Sequence, residues 1–279
     1  MPIEEKYRKD ADAILSHRYD QGGDFFTTPD HRLLKGSPFS AYNSALMLLE
    51  LGMEPNDPVL QAIAALFFGA FKEDGRFALY PKGGIYPCHT TPAAYLLCRM
   101  GYTEDERIEK TFSHLLKTTY TDGGWRCNKF FFGRGPETEY SNGFPTLCAL
   151  NAFRLSRHLN NEPALDKAVE FLLSHWTIKK PIGPCHYGIG TLFMQVEYPL
   201  GSYNLFTYVY VLSFYDKAKN DPRFLEAFHA LKSKLVDGQI VVERVVPKLA
   251  KLNFCKKGEK SELATRRYHE ILKNLGMDT

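Results

Sequence analysis

The sequence predicts an all-α protein, an α/α barrel (toroid) of about five helical hairpins with inner and outer helix rings, forming a single domain over residues 1–279. Three observations predict it. Helix-start signals recur along the chain, each helix that follows them stops at a glycine turn, and a second, more apolar helix comes next.

The first helix of each unit is the easier to place. "IEEKYRKDADAILSH" from Ile3 opens the series, followed by "EPNDPVLQAIAALFF" from Glu54, "YTEDERIEKTFSHLL" from Tyr102, "NNEPALDKAVEFLL" from Asn160 and "KNDPRFLEAFHAL" from Lys219. Three of these carry Pro at the helix start, after Asp57, Glu162 and Asp221, where a missing N–H costs nothing and the fixed φ is already helical. The unit at Tyr102 carries Thr103 with Glu106 three residues on, the spacing of a capping box. Glycine signals end the helices in "QGGDF", "EDGRF", "TDGGW" and "VDGQI".

The second helices are "SPFSAYNSALMLLELG" (Ser37 to Gly52), "CHTTPAAYLLCRMG" (Cys88 to Gly101), "SNGFPTLCALNAFRLS" (Ser141 to Ser156), "SYNLFTYVYVLSFY" (Ser202 to Tyr215) and "SELATRRYHEILKNLG" (Ser261 to Gly276). Gly52 and Gly101 lie about 50 residues apart, in the range of helical-pair repeats. The first helices have a charged face suited to an outer layer, whereas the second are apolar or aromatic around most of their circumference and suit an inner one. Closure into a barrel is the reading these aromatic inner helices favour. An open solenoid, with inner helices facing solvent, is the alternative.

Composition narrows the function classes. Of 279 residues, 44% are hydrophobic and 24% charged, enough for a sizeable core and too apolar for a disordered chain. A net charge of +3 gives no case for nucleic acid or an anionic membrane surface. No apolar run approaches the ~18 residues of a transmembrane segment, and "MPIEEKYRKD" lacks the apolar centre of a signal peptide. A cytoplasmic protein with reduced thiols is the expectation, and the six cysteines are then read as metal-binding or chemical before disulfide.

"TDGGW", preceded by "TFSHLL", resembles the repeat signature of the terpenoid cyclase and protein prenyltransferase superfamily, in which a helix ends in Leu-Leu and Asp-Gly-x-Trp turns toward the inner helix. The other units keep fragments, with Phe77, Ile240 and Phe25 in the place of Trp125, and Thr119 replaces the usual Gln. The resemblance implies a toroid around an apolar pocket that opens where inner helices begin. It does not bring the family's reactions with it. The Asp-x-Asp-Asp run of squalene-type cyclases, the Asp-Asp-x-x-Asp run of class I terpene synthases and the Asp-x-Cys of protein prenyltransferases are all absent from this sequence.

Chemistry must then come from residues particular to this chain. Cys98 and Cys148 lie inside inner helices and read as core. Cys88, Cys127, Cys185 and Cys255 lie in the connections leading to inner helices, which a closed ring brings to one end, and Cys88 and Cys185 are each followed by a histidine, His89 and His186. Thiolate and imidazole are zinc ligands, so Cys88, Cys127, Cys185 and His186 form a candidate zinc set, with an iron–sulfur cluster as the more demanding alternative and unconnected loop thiols as the plainer one. No short Cys-x-x-Cys pair supports it.

Acid–base chemistry without metal is the second candidate. Asp30 and His31 precede the first inner helix, in a stretch that also holds Arg32 and Lys35, and Glu137, Glu139 and Tyr140 precede the third. His89, with Cys88 as N-cap, would face the chamber mouth. A carboxylic acid in an apolar chamber keeps its proton to higher pH, and histidine needs less adjustment. With 20 Phe and 16 Tyr available, Tyr203, Tyr208, Tyr210, Phe39 and Trp125 are candidates to line the chamber and meet substrate; ordinary packing is the competing role for each, and Trp125 also suits a wedge between hairpins.

The leading expectation is an enzyme acting on an apolar, isoprenoid-like or polyketide-like small molecule in a central chamber, by acid–base or metal-assisted chemistry. A noncatalytic repeat protein that binds a peptide or protein partner on its loop face is the alternative, and covalent catalysis by Cys127 a third. Oligomeric state and substrate identity are not legible in the sequence.

Overall fold

The computed structural model describes residues 3–34, 36–199 and 201–277, so Lys35 of the first loop lies outside the described residues. Eleven α-helices are found among them, in the predicted alternation. The pairs are α1 (Glu5–Ser16) with α2 (Ala41–Glu50), α3 (Pro58–Gly69) with α4 (Pro87–Arg99), α5 (Glu106–Lys117) with α6 (Gly143–Phe153), and α7 (Leu165–Ile178) with α8 (Leu205–Leu212). After a one-turn helix α9 (Asp216–Lys219), α10 (Pro222–Lys232) pairs with α11 (Glu262–Asn274). The protein is all-α apart from a short antiparallel hairpin, β1 (Leu235–Val236) and β2 (Gln239–Ile240), which sequence reading reduced to a turn. None of the described helices is long and apolar enough to cross a membrane.

Side-chain caps start most of these helices. Ser40, Asp57, Asn204, Asp221 and Ser261 accept backbone N–H groups of α2, α3, α8, α10 and α11. Three start signals need correction. Asp105, accepting from Arg107 N, caps α5, which leaves Thr103 and Glu106 without a capping box. In the fourth unit Pro163 lies in the turn before α7, whose N-cap Ala164 offers no side-chain acceptor. At α4 the N-cap is Tyr86, and Cys88 sits inside the first turn.

The two helix sets bury themselves as their patterns predict. α5 buries Ile108, Thr111, Phe112 and Leu115, one stripe at helical spacing, while every residue of α8 and every residue of α4 from His89 to Cys98 is buried. α11 departs from its set, since it keeps an exposed charged face. The second helices form a succession, α2 against α4, α4 against α6, α6 against α8 and α8 against α11, and α3, α5, α7 and α10 each pack against members of it. The first and last units also meet. Asp10 of α1 accepts the backbone N–H of Asn253 and Phe254 at 2.9 and 2.8 Å, and Lys6 pairs with Glu262 at 2.6 Å.

The glycine turns share one geometry. Gly75 and Gly123 both take φ of +89°, and a Cβ on either would strike backbone of the helix opening the next pair, Lys110 O of α5 at 2.6 Å or Lys167 C of α7 at 2.7 Å. The residue that follows each turn enters the core and donates its backbone N–H to a threonine in the first turns of the partner helix. Phe77 donates to Thr90 at 3.2 Å, Trp125 to Thr146 at 3.0 Å and Ile240 to Thr265 at 3.0 Å. In the first unit the buried residue is Phe26; Phe25, the expected equivalent, is half-buried under the Arg18 guanidinium at 3.9 Å.

Candidate functional site

A cavity of about 200 Å³ runs along α2. Leu46, Met47, Val246 and Leu249 supply apolar wall, with Pro38 and Ser202 in the loops just ahead of α2 and α8 and Glu50, Tyr95 and Arg99 in the later turns of α2 and α4. The volume lies below the ~300 Å³ at which pockets for drug-sized ligands begin, which limits any occupant to a small molecule.

Charge gathers at the Glu50 end. The Glu50 carboxylate accepts two hydrogen bonds from Arg267, at 2.9 and 2.6 Å, and one from the Tyr198 hydroxyl at 2.9 Å. Arg99 stands 3.6 Å from the same carboxylate and donates to the Tyr95 hydroxyl at 3.1 Å. Burial works against an ionised Glu50, but Arg267 and Arg99 overcome it and hold the carboxyl below its usual range. The two phenols are driven apart. Burial, then Glu50, pushes Tyr198 well up, whereas at Tyr95 the opposing charges of Arg99, Arg154 and Arg267 outweigh burial and bring the phenol below its ordinary value.

None of these groups was singled out from the sequence, yet a signal existed. Glu50 and Arg99 are the last residues of α2 and α4, and Arg154 follows α6 as its C-cap, so three otherwise apolar helices of one set each end in a charge. Arginine suits a helix C-terminus. Glutamate does not, and Glu50 there requires the cations that surround it.

The three expected cysteines do come together. The Sγ atoms of Cys88 and Cys127 are 3.1 Å apart, and Cys185 Sγ lies 3.4 Å from the Cys127 carbonyl oxygen and within hydrogen-bonding reach of the Cys127 sulfur. Each comes from a different connection: Cys88 from the first turn of α4, Cys127 from the loop after Trp125, Cys185 from the loop before α8. Asn142, the N-cap residue of α6, fixes Cys127 by accepting its N–H at 2.6 Å. The S–H groups of Cys185 and Cys88, aimed at Cys127, lower its thiol to about 3, and the same contacts push Cys88 and Cys185 up. The three sulfurs titrate as a coupled group, in which the contacts from Cys88 and Cys185 favour the ionised form of Cys127. Cys255, in the connection to α11, is buried apart from them against Leu249 O at 3.8 Å.

A ready-made metal polyhedron is a stricter condition. Among the described residues no group of three or more His, Cys, Asp or Glu side chains is arranged to hold a metal ion. His186 Nε2 faces Glu137 Oε1 at 3.4 Å. His89 is buried between the Tyr80 and Tyr86 rings, with neither ring nitrogen hydrogen-bonded, and burial lowers it to about 4. It is neutral near pH 7.

Other expected site residues are scattered. Asp30 is exposed and paired with Arg32 at 3.0 Å, and His31 lines a separate cleft of about 360 Å³ beside Tyr80. Glu139 is exposed and bound to the Tyr120 hydroxyl at 2.9 Å; Tyr140 is exposed. Trp125 and Tyr208 are fully buried, donating to the Leu115 and Leu172 carbonyl oxygens at 3.0 Å each. Phe39 stacks on His17 at 3.8 Å, and Tyr203 contacts His175 Nδ1 at 2.7 Å. Tyr210 donates to Glu270 at 2.6 Å and accepts from Arg267 at 3.4 Å, which ties it to the charged group around Glu50.

No family profile matches the chain, and no curated protein matches it either. Its likeness to the terpenoid cyclase and protein prenyltransferase superfamily therefore rests on the repeat signature alone.

Proposed function

We propose that the chain is an enzyme of the α/α-toroid type, akin to the terpenoid cyclase and protein prenyltransferase superfamily, that takes a small, largely apolar molecule into the cavity along α2 and moves protons on it. The observation that carries this reading is the pairing of apolar walls with two phenols whose environments differ, Tyr95 and Tyr198. Groups driven apart in this way are suited to opposite proton-transfer roles. Tyr198, held to Glu50, keeps its proton and serves as donor; Tyr95, beside Arg99, is the phenol that exchanges its proton. Isomerisation or cyclisation of an unsaturated, isoprenoid-like or polyketide-like compound is the reaction class that needs only such transfers.

The test is deuterium uptake from heavy water into a panel of short isoprenoid alcohols, aldehydes and acids, read by mass spectrometry. Uptake into at least one compound is expected, falling about 100-fold or more in Tyr95→Phe. No uptake into any member would remove the reading.

Metal-assisted chemistry finds its support in the thiol cluster. Zinc–sulfur bonds of about 2.3 Å set tetrahedral sulfurs roughly 3.7 Å apart, so zinc would spread Cys88 and Cys127 from 3.1 Å. Elemental analysis after dialysis against zinc should find about one equivalent; under a tenth would exclude the site.

The alternative of a noncatalytic protein that binds a peptide or protein partner is favoured by one feature. Phe130, Phe131 and Phe132 are 51%, 60% and 67% exposed in consecutive positions, an apolar tip of the sort that marks contact surfaces.

A further inference from the structure

The charged group beside the cavity has more cation than its carboxylates need, and Glu197, the second carboxylate in the cavity wall, is paired with Arg244 at 3.3 Å. Three guanidinium groups, those of Arg99, Arg154 and Arg267, are gathered around Tyr95 and Tyr210, against the carboxylates of Glu50 and Glu270. Glu50 is already satisfied. Arg267 occupies both of its oxygens and Tyr198 one of them, so Arg99, at 3.6 Å, is left outside hydrogen-bonding distance. Glu270 is likewise taken by Arg267 at 2.7 Å and Tyr210 at 2.6 Å.

That leaves Arg99 and Arg154 under-used. A guanidinium has five N–H donors in a planar fork. Arg99, with only 18% of its side chain exposed, makes one side-chain hydrogen bond, to Tyr95 at 3.1 Å. Arg154 donates to Asn151 at 2.6 Å and reaches Tyr210 at 3.5 Å, with no carboxylate partner among the described residues. A largely buried cation with donors to spare is stabilised by an incoming anion far more than a solvated one is. Arg99 itself lines the cavity, and Leu46 and Met47 line it alongside.

We propose that this end of the cavity is an anion-recognition site, and that the molecule it accepts is a small amphipathic anion: a carboxylate or phosphate head on Arg99, with Arg154 adding to the field, and an apolar body along Leu46 and Met47. The inference rests on the chamber reading above and names the substrate class for it.

Isothermal titration calorimetry with geranate and geraniol, which share a body and differ in the charged head, tests this on the intact protein. Geranate is expected to bind about tenfold or more tightly than geraniol, the effect of one charge-assisted hydrogen bond. Arg99→Met should remove that advantage while leaving geraniol binding within about twofold. Its fold should survive because Glu50 keeps Arg267 and Tyr198. Arg154→Met, which touches no partner of Glu50, should weaken geranate by a smaller factor and guards against a misfolded first variant. Leu46→Trp, filling the cavity, should abolish both. Equal binding of the two probes overturns the anion site and leaves the chamber standing; binding of neither, or binding untouched by Leu46→Trp, overturns the chamber and the anion site with it. A geranate preference that survives both arginine variants overturns the assignment to Arg99 and Arg154.

Discussion

The sulfurs of Cys88 and Cys127 approach to 3.1 Å across 39 residues of sequence, closer than van der Waals contact between thiols and farther than a bond. A disulfide needs roughly 1 Å of further approach, since bonded sulfurs stand about 2.05 Å apart. Mild oxidation with diamide, which is reduced to the hydrazine as the two thiols lose their hydrogens, should join Cys88 to Cys127 in preference to any other pair. Peptide mapping reads it out, Cys88→Ser should abolish it, and zinc bound at the cluster should protect against it. Random pairing, or pairing that includes Cys98 or Cys148, would contradict the geometry.

Gly123 and Gly238 close equivalent turns, at φ of +89° and +74°, but only Gly123 is pressed against another element. A Cβ there would lie 2.3 Å from Lys167 Cβ and 2.7 Å from Lys167 C, while one on Gly238 meets nothing within 4 Å. Gly238→Ala should therefore cost about 1 kcal/mol, the conformational penalty alone. Gly123→Ala should cost clearly more because α7 must shift, and urea unfolding of the two variants measures the difference. Equal losses would mean that the turn, and not its packing on α7, sets the requirement.

The repeat was legible because both of its signals are local. Asp57-Pro58 and Asp221-Pro222 start helices by their own chemistry, and Gly75 and Gly123 announce turns. The convergence of Cys88, Cys127 and Cys185 was legible for a related reason, since all three lie between the first and second helices of successive units or at the very start of the second. The group around Glu50 was not. Its partners Arg267 and Tyr198 are 217 and 148 residues away, and nothing local distinguishes Arg267 from Arg266, which pairs with Glu4 and Glu262 on the surface at 2.8 and 2.6 Å. Tyr203 and Tyr208 show the converse. Their aromatic run suggested a chamber lining, but the Tyr208 hydroxyl is taken by the Leu172 carbonyl and Tyr203 by His175, contacts with α7 that no pattern within the run from Tyr203 to Tyr215 encodes.

His175 gives a pH dependence with a definite sign. It is fully buried, with Tyr203 on Nδ1 and the Lys180 carbonyl on Nε2, and burial lowers it to about 4 from 6.5. Between those values the unfolded chain binds the proton and the folded protein does not, so stability falls as pH drops from 6.5 to about 4 and is level below. At about 1.4 kcal/mol per unit the contribution reaches roughly 3 kcal/mol. His89, lowered similarly by burial, adds to the same window. His175→Gln should be less stable at pH 7, having lost a contact, and should show a shallower decline between pH 6.5 and 4 in urea titrations. An unchanged decline would show that His175 is not buried neutral.

Glu50 predicts the opposite arrangement of a charge. Its carboxylate links α2 to Arg267 of α11 and offsets Arg99, so Glu50→Gln keeps an acceptor for Tyr198 but leaves Arg99 without a counter-charge and Arg267 with Glu270 alone. Breaking a buried pair in this way costs about 3–5 kcal/mol, and the variant's urea midpoint should fall accordingly near pH 7. Because Arg267 and Arg99 hold the Glu50 carboxyl below its ordinary value of 4.5 against the effect of burial, its contribution is fully present above that pH and is lost as pH falls through the lower folded value. The gap between wild type and Glu50→Gln should therefore narrow below pH 4.5, where the wild-type side chain takes up the proton and resembles the amide. If geranate rescues Glu50→Gln more than it stabilises wild type, the anion has entered beside the same arginines and supplied the missing charge. Equal stabilisation of both would separate the Glu50 pair from the ligand site.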